Sequence, residues 1–297
     1  MKGGPYGTGL GCLAVGAITR DRYGEGIEIG GSAYYAARVF SGLGAVSRVA
    51  TRTLLGLLGR GELAGIECRC RAGDGAALFT NSYGSDGARS QWVEAAAPEI
   101  APCDLPDAWS APDALFLCPV LGEVPLAPWL LATRARRVGL GVQGFLRTAE
   151  PGLPEGSRRR VVPAAFDPDP EILSRVDAAF LSEEDLALAA PDLLDRLRAS
   201  IDFVALTRGE DGARVYCDGG VAEIGVYPTT AIDPTGAGDA FAAACLLALA
   251  AGEEPLTAAR LGAAAASIVV EGIAGSQLHR IGEASERTRG IPTAAWR

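Results

Sequence analysis

Short apolar runs and polar, glycine-rich breaks alternate along most of this chain. Leu10–Ile18 and Ala114–Pro119 are almost wholly apolar, which is typical of strands buried on both faces of a parallel sheet. A further strand is predicted at Val46–Thr51. Longer apolar stretches lie between such runs and predict helices. Strands that alternate with helices indicate a parallel sheet covered by helices on both faces, an α/β fold.

The same alternation continues through the C-terminal half. Further strands are predicted at Arg137–Val142, Ala178–Leu181 and Phe203–Thr207, with a hairpin at Gly212–Cys217 and Val221–Val226. Helices are predicted at Ala33–Gly42, Leu54–Leu63, Pro125–Arg134, Ser182–Leu188, Gly238–Ala251 and Pro255–Val270. Asp21 is placed in a polar loop after the first strand.

The region 66–94 has a different sequence pattern. Its strand-like pieces Ile66–Arg71, Ala76–Asn81 and Ser90–Glu94 are separated by breaks that contain Asp-Gly pairs, which are typical of hairpin turns. We predict that 66–94 is a small antiparallel insertion in a single domain spanning 1–297.

Composition excludes several classes of protein. A net charge of −9 over 297 residues argues against nucleic acid or an anionic membrane as the main partner. Lys2 is the only lysine, so a P-loop kinase, which needs a lysine after its glycines, is excluded. His279 is the only histidine. A Ser-His or Cys-His mechanism therefore has only one candidate base, and a zinc site is improbable.

Other features indicate a cytosolic protein. The seven cysteines are scattered without a Cys-x-x-Cys pair, which favours reduced thiols. The N-terminus lacks the layout of a signal peptide. No apolar run reaches the roughly 18 residues that a membrane span needs.

The most informative segment is Asp233-Pro-Thr-Gly-Ala-Gly-Asp239, which leads directly into an apolar, alanine-rich helix. Gly236 and Gly238 have no side chain to keep a ligand from the backbone, and the helix adds the positive end of its dipole. A carboxylate beside such an anion site is unfavourable unless it accepts a proton. Asp239 is therefore a candidate general base for transfer of a phosphoryl group to a hydroxyl, the alternative being a simple helix-dipole partner.

With these residues the chain resembles the ribokinase-like, or PfkB, carbohydrate kinase family over roughly Leu10–Pro292. Asp233–Asp239 is similar to the family's C-terminal signature, Gly30-Gly31 to its N-terminal glycine pair, and Leu206–Ala213 to its Thr-x-Gly-x-x-Gly segment. The resemblance implies a three-layer α/β/α sandwich with a small β-sheet lid. It also implies ATP as donor, Mg²⁺ held mainly through the nucleotide and water, and a sugar acceptor.

The resemblance assigns roles to individual residues. Asp239 is implied as the catalytic base, with the amides of Gly236, Ala237 and Gly238 forming an anion hole, a ring of N–H donors for the transferred phosphoryl group. The implied nucleotide-binding residues are Thr207, Gly209, Gly212, Asp233, Gly272 and Gly275. The implied acceptor-binding residues are Asp21, Gly30 and Gly31.

A narrower resemblance concerns the acceptor. Gln143-Gly-Phe-Leu-Arg147, with Asn81 in the predicted lid, is similar to a subgroup that includes myo-inositol kinases. It implies acceptor contacts from Asn81, Gln143 and Arg147, although Asn81 and Arg147 are also consistent with ordinary surface positions.

Three positions depart from the family pattern. Ser32 stands where sugar kinases often have Asn, and Gly141 lies near a position where the subgroup often carries Asp. The segment Ser182-Glu-Glu-Asp185 stands where many members have an Asn-x-x-Glu motif. Asp185 keeps the carboxylate and is a candidate metal ligand, or one of the acids that favour a first helical turn. These differences concern acceptor specificity and metal handling more than the transfer step.

Other functions stay open from the sequence. A nucleoside kinase is consistent with the aromatic residues Tyr34, Tyr35, Tyr83 and Trp92, and a catalytically silent sugar-binding protein is a further alternative. A dinucleotide-binding dehydrogenase is disfavoured because no Gly-x-Gly-x-x-Gly follows the first strand. A homodimer formed through lid strands is also possible.

Overall fold

The structure is a computed structural model that describes residues 6–53, 61–72, 77–83, 89–152 and 157–294. Its strands are β1 (Gly11–Val15), β2 (Thr19–Tyr23), β3 (Gly26–Gly30), β4 (Val46–Thr53), β5 (Glu67–Ala72), β6 (Leu78–Tyr83), β7 (Arg89–Glu94), β8 (Ala114–Leu117), β9 (Arg137–Gly141), β10 (Arg147–Ala149), β11 (Arg159–Pro163), β12 (Ala178–Ser182), β13 (Phe203–Thr207), β14 (Ala213–Cys217), β15 (Gly220–Ile224) and β16 (Thr293–Ala294). Its α-helices are α1 (Ser32–Gly42), α2 (Leu126–Ala132), α3 (Pro170–Leu173), α4 (Glu183–Leu188), α5 (Leu193–Ser200), α6 (Ala237–Ala251), α7 (Pro255–Val269) and α8 (Ala284–Arg287).

The larger sheet has ten strands in the order β16-β15-β14-β13-β12-β9-β8-β1-β4-β5. The strands from β13 to β5 run parallel to one another, and β14, β15 and β16 continue the sheet in antiparallel pairs. The predicted strand–helix alternation therefore produces the expected parallel sheet.

Successive residues of the buried strands serve two different cores. In β1, Cys12 and Ala14 pack into a cluster with α1, α6 and α7. Leu13 and Val15 point the other way, into a cluster with α2, α3 and α5. Because neighbouring side chains on a strand project to opposite faces, a strand covered on both sides must be apolar throughout. The three-layer α/β/α sandwich is confirmed.

A second sheet of six strands, in the order β10-β11-β7-β6-β2-β3, lies apart from the first. Strands β6 and β7 form the predicted antiparallel pair, with Phe79 opposite Val93. The predicted unit 66–94 needs correction, however. Strand β5 pairs in parallel with β4 at the edge of the larger sheet, and the second sheet recruits β2, β3, β10 and β11 instead.

The sequence pattern did not reveal those four strands. The loop predicted around Asp21 is strand β2, whose sequence Thr-Arg-Asp-Arg-Tyr is polar on both faces. The helix predicted at 54–63 and the turns at 73–75 and 84–87 lie largely outside the described residues; Gly61–Leu63 is a 3₁₀ turn. Within the described ranges, no helix is both long and apolar enough to span a bilayer.

A buried carboxylate joins the loops that follow β1 and β8. Glu123 is only 5% exposed. It accepts hydrogen bonds from the amides of Ala17 at 2.9 Å, Val120 at 2.9 Å and Leu121 at 2.8 Å. These bonds satisfy three backbone donors at the carboxyl edge of the sheet, so Glu123 fixes the shape of that edge.

We expect Glu123→Gln to lower the free energy of unfolding by about 1–3 kcal/mol, because an NH₂ group replaces one of the two oxygens and leaves a buried backbone N–H facing a donor instead of an acceptor. Glu253→Gln is the control, since Glu253 is exposed at the end of α6. Urea unfolding of both variants measures the difference, and equal stabilities would show that Glu123 does not hold these loops.

Candidate active site

Several of the predicted functional residues lie at one edge of the larger sheet. Strands β1, β8, β9, β12 and β13 are parallel, so their carboxyl ends meet there. Gln143–Leu146 follows β9, Ser182 ends β12 and Thr207 ends β13. In open α/β sheets this edge is where ligands bind.

The start of α6 has the geometry of an anion site. Gly236 caps the helix with φ +80, a left-handed conformation that favours glycine. A Cβ at Gly236 would lie 2.2 Å from the Tyr35 ring, whereas a Cβ at Gly238 would meet nothing within 4 Å. The first glycine is therefore needed for the turn, and the second leaves the space in front of the helix open.

The three predicted anion-hole amides differ in their hydrogen bonding. Within the described part of the chain, the backbone amides of Gly236, Gly238 and Asp239 donate to no protein acceptor. The Ala237 amide instead donates to the Pro234 carbonyl at 3.1 Å. Ala237 therefore cannot serve as predicted in this conformation, and Asp239 takes its place as a candidate donor.

The carboxyl group of Asp239 sits among protein atoms in the first turn of α6. Desolvation by this burial raises its pKa to about 6; a hydrogen bond from Ser32 and the nearby Arg147 oppose the increase, and Asp185 and Asp21 add to it. A carboxyl group with a pKa close to neutral suits proton transfer near pH 7. The Asp239 side chain is not enclosed in the apolar core, because the residue is partly accessible to solvent.

Asp185 is bound by protein donors on both oxygens. Oδ1 accepts from Gln143 Nε2 at 3.1 Å and Arg147 Nη2 at 3.4 Å. Oδ2 accepts from the Ser182 amide at 2.9 Å and the Ser182 hydroxyl at 2.8 Å. These four bonds use the usual capacity of a carboxylate, which argues against the predicted metal role of Asp185.

The same bonds bring three predicted residues together. Arg147 and Asp185 form an ion pair in which their side chains are 16% and 4% exposed. Arg147 also bonds Gln91 Oε1 at 3.4 Å, a lid residue that the sequence pattern did not single out. The backbone of Asn81 lies opposite Gln91 in the lid, but the Asn81 side chain is outside the described part of the structure.

The glycine pair places Asp21 over the start of α1. A Cβ at Gly30 would lie 2.1 Å from Asp21 Oδ2, and a Cβ at Gly31, with φ +94, would lie 2.3 Å from the Ala17 carbonyl. Asp21 also accepts a hydrogen bond from the Thr19 hydroxyl at 3.0 Å. The two glycines therefore make room for a carboxylate that faces the same site as Asp239.

Asp233 connects the two loops predicted to hold the nucleotide. It accepts hydrogen bonds from the Thr235 and Ala274 amides, both at 2.9 Å. Partial burial opposes ionisation, but these bonds are stronger and lower the pKa of Asp233. Its predicted nucleotide-binding role is thus indirect in this structure, since it positions the 271–275 loop that contains Gly272 and Gly275.

The Thr-x-Gly-x-x-Gly segment lies at the end of β13. Thr207 donates to the Leu181 carbonyl at 3.4 Å. Gly212 is needed for packing, because a Cβ there would lie 2.1 Å from the Ile224 carbonyl, whereas a Cβ at Gly209 would meet nothing within 4 Å. Thr207 and Gly209 remain the residues of this segment that a donor could reach.

The described residues contain no group of three or more His, Cys, Asp or Glu side chains that could hold a metal ion.

Comparisons with known proteins support the resemblance. A sequence model described as "pfkB family carbohydrate kinase" matches residues 159–277. A 2-dehydro-3-deoxygalactonokinase of Haloferax volcanii is 38% identical over 112 residues, covering 35% of each chain. An inositol 3-kinase of Oryza sativa subsp. japonica is 33% identical over 175 residues, covering 57% of this chain and 43% of the relative. These alignments span less than half of the relatives' lengths.

Solved structures match over nearly the full fold. A sulfate complex of a pyrophosphate-dependent kinase in the ribokinase family has a TM-score of 0.76 at 22% identity, covering 92% of this chain and 99% of that one. Arabidopsis thaliana ribokinase complexed with ribose and ATP has a TM-score of 0.71 at 17% identity, covering 94% and 99%. The family model thus matches the C-terminal part of the chain, and the solved structures show that the chain has the fold of the ribokinase family.

The two glycines before Asp239 give a matched test of the anion site. We expect Gly236→Ala to lower the free energy of unfolding by at least about 2 kcal/mol, because it adds a left-handed alanine and a clash with Tyr35. Gly238→Ala should leave stability unchanged or slightly higher but weaken binding of inorganic phosphate, because its methyl group enters the open space.

Urea unfolding and calorimetric titration with phosphate measure these two effects. Equal phosphate affinity in wild type and Gly238→Ala would contradict an anion site at the start of α6.

Proposed function

We propose that this protein transfers a phosphoryl group from ATP to a hydroxyl of a sugar or cyclitol. The observation that carries the proposal is Asp239, a carboxyl group with a pKa of about 6, in the same helical turn as backbone amides that lack a protein acceptor. A proton acceptor next to an anion site is what transfer to a weakly acidic hydroxyl requires.

In the proposed reaction the acceptor hydroxyl lies beside Asp239. Its oxygen forms a bond to the terminal phosphorus of ATP while its proton passes to the Asp239 carboxylate. The bond from that phosphorus to the bridging oxygen breaks, and ADP leaves with the electron pair. The amides of Gly236 and Gly238 stabilise charge on the moving phosphoryl group, so the chain needs no lysine at this position.

A cyclitol acceptor is supported by the side chains opposite Asp239. Asp21, Gln143 and Arg147 offer both acceptors and donors to a ring that carries several hydroxyls. The inositol 3-kinase of Oryza sativa and a structural neighbour complexed with a pyrophosphate analog and myo-inositol, with a TM-score of 0.75, agree with this choice. A screen of sugars, cyclitols and nucleosides for ADP release tests the acceptor class.

ATP rather than pyrophosphate is supported by two exposed apolar side chains. Ile232 is 63% exposed and Ile273 is 54% exposed. They stand on adjoining segments, because the Ile232 amide donates to the Val270 carbonyl at 2.7 Å and the Ala274 amide donates to Asp233. A nucleobase can cover such a surface, whereas pyrophosphate has no apolar part.

The pH dependence of turnover tests the base. Desolvation raises the pKa of Asp239 to about 6, so the carboxylate is ionised above this pH and protonated below it. We expect kcat/KM for the acceptor to fall about tenfold per pH unit below pH 6 and to level off above it. Asp239→Asn should lower kcat by roughly 100-fold or more. The variant should also lose the decrease in kcat/KM below pH 6, and it should still bind ATP. Wild-type turnover in that variant would exclude Asp239 as the base.

The choice of donor gives a separate prediction. We expect Ile232→Ser together with Ile273→Ser to raise KM for ATP about tenfold, since apolar burial of this size is worth more than 1.4 kcal/mol. Leu131→Ser, a change at a residue 64% exposed on α2, should leave KM unchanged. Turnover with pyrophosphate but not with ATP would contradict the donor assignment.

A further inference from the structure

Tyr35 has a polar atom that the mechanism above does not use. It lies in the first turns of α1 and is 1% exposed. Among the described residues, no protein group bonds its hydroxyl. Burying an unpaired hydroxyl costs free energy that phenylalanine at the same position would not cost.

The ring of Tyr35 packs against the turn that begins α6. The position of a Cβ on Gly236 would be 2.2 Å from Cε1 and 2.3 Å from Cζ, the carbon that bears the hydroxyl. The phenol therefore stands directly beside the backbone of the candidate anion hole, separated from it by the hydrogen of a glycine. Any larger residue at position 236 would displace it.

The charges around the ring define what the hydroxyl can do. Burial raises the pKa of Tyr35 well above its usual value, and Tyr23, Asp21, Asp239 and Tyr34 raise it further. The positive charge of Arg147 lowers the pKa of Asp239, and Arg147 is itself bound to Asp185. The phenol therefore keeps its proton at neutral pH and can act as a donor.

We propose that the Tyr35 hydroxyl is a side-chain donor of the anion hole, bonding a non-bridging oxygen of the phosphoryl group as it moves between donor and acceptor. This inference rests on the proposed function. In this arrangement the Gly236 and Gly238 amides donate to the phosphoryl group from the start of α6, and the Tyr35 hydroxyl donates to it from α1. Neutral donors of this kind stabilise developing negative charge without a lysine.

Tyr35→Phe tests the proposal because it removes one oxygen and keeps the ring that packs on Gly236. We expect kcat to fall about 100-fold, with KM for the acceptor changed less than threefold. Affinity for inorganic phosphate, measured by calorimetric titration, should fall about tenfold or more. The thermal midpoint of the ligand-free variant should equal or exceed that of wild type, since the lost hydroxyl has no protein partner among the residues that the structure describes.

Tyr216→Phe is the control, because Tyr216 lies on β14 under the guanidinium of Arg198, 4.5 Å from the ring centroid. It should match wild type in turnover and phosphate affinity. Unchanged phosphate affinity in Tyr35→Phe would overturn the proposal, and so would a loss confined to KM for the acceptor. A wild type that turns over no acceptor with any donor would remove the proposed function, yet the phosphate titration would still decide the role of Tyr35.

Discussion

The contact between Gly236 and the Tyr35 ring is the constraint on which the site depends. Because Gly236 turns in the left-handed region with φ +80, the chain enters α6 abruptly and leaves the first amides pointing out of the helix. The Tyr35 ring occupies the space that a side chain at position 236 would need, and this contact fixes the distance between α1 and the start of α6. The open amides and Asp239 follow from this one close approach, since both belong to the same turn.

Around that turn, three acids and one arginine set the charge. Asp21 and Asp185 raise the pKa of Asp239, and Arg147 lowers it. Arg147 is held by Asp185 with 16% and 4% of the side chains exposed, so its position is strongly constrained, because a buried charge that loses its partner is costly. Asp185 therefore affects the base in two opposing ways, directly by repulsion and indirectly by keeping the arginine in place.

Much of the larger sheet could be predicted because its strands are buried on both faces. Such strands are continuous apolar runs, and β13 at Phe203–Thr207 agrees residue for residue with its prediction. The turn that begins α6 could be predicted as well, because two glycines and an acid directly before an apolar helix are typical of a backbone that approaches an anion closely.

The second sheet could not be predicted, since β2 and β11 carry charges on both faces and their pairing depends on partners distant in sequence. Strand β5 was assigned to the wrong sheet for a related reason: the sequence Glu-Cys-Arg-Cys-Arg-Ala fits any edge strand. Asp185 was a metal candidate because it keeps a carboxylate at the end of the segment that corresponds to the family's Asn-x-x-Glu motif; only the fold shows that Gln143 and Arg147 donate to its Oδ1.

The donor side and the acceptor side of the site are held in place by different contacts. On the donor side, Asp233 ties the turn before α6 to the Ala274 amide, and Glu271 is anchored by Arg280 and Arg287 at 2.6 and 2.7 Å. On the acceptor side, Arg147 begins β10 in the smaller sheet but binds Asp185 on α4, which follows strand β12 of the larger sheet. A displacement of β10 would therefore withdraw Arg147, whose charge lowers the pKa of Asp239. The position of the smaller sheet and the protonation of the base are physically coupled, and the base is most fully ionised when the two sheets are joined through Arg147.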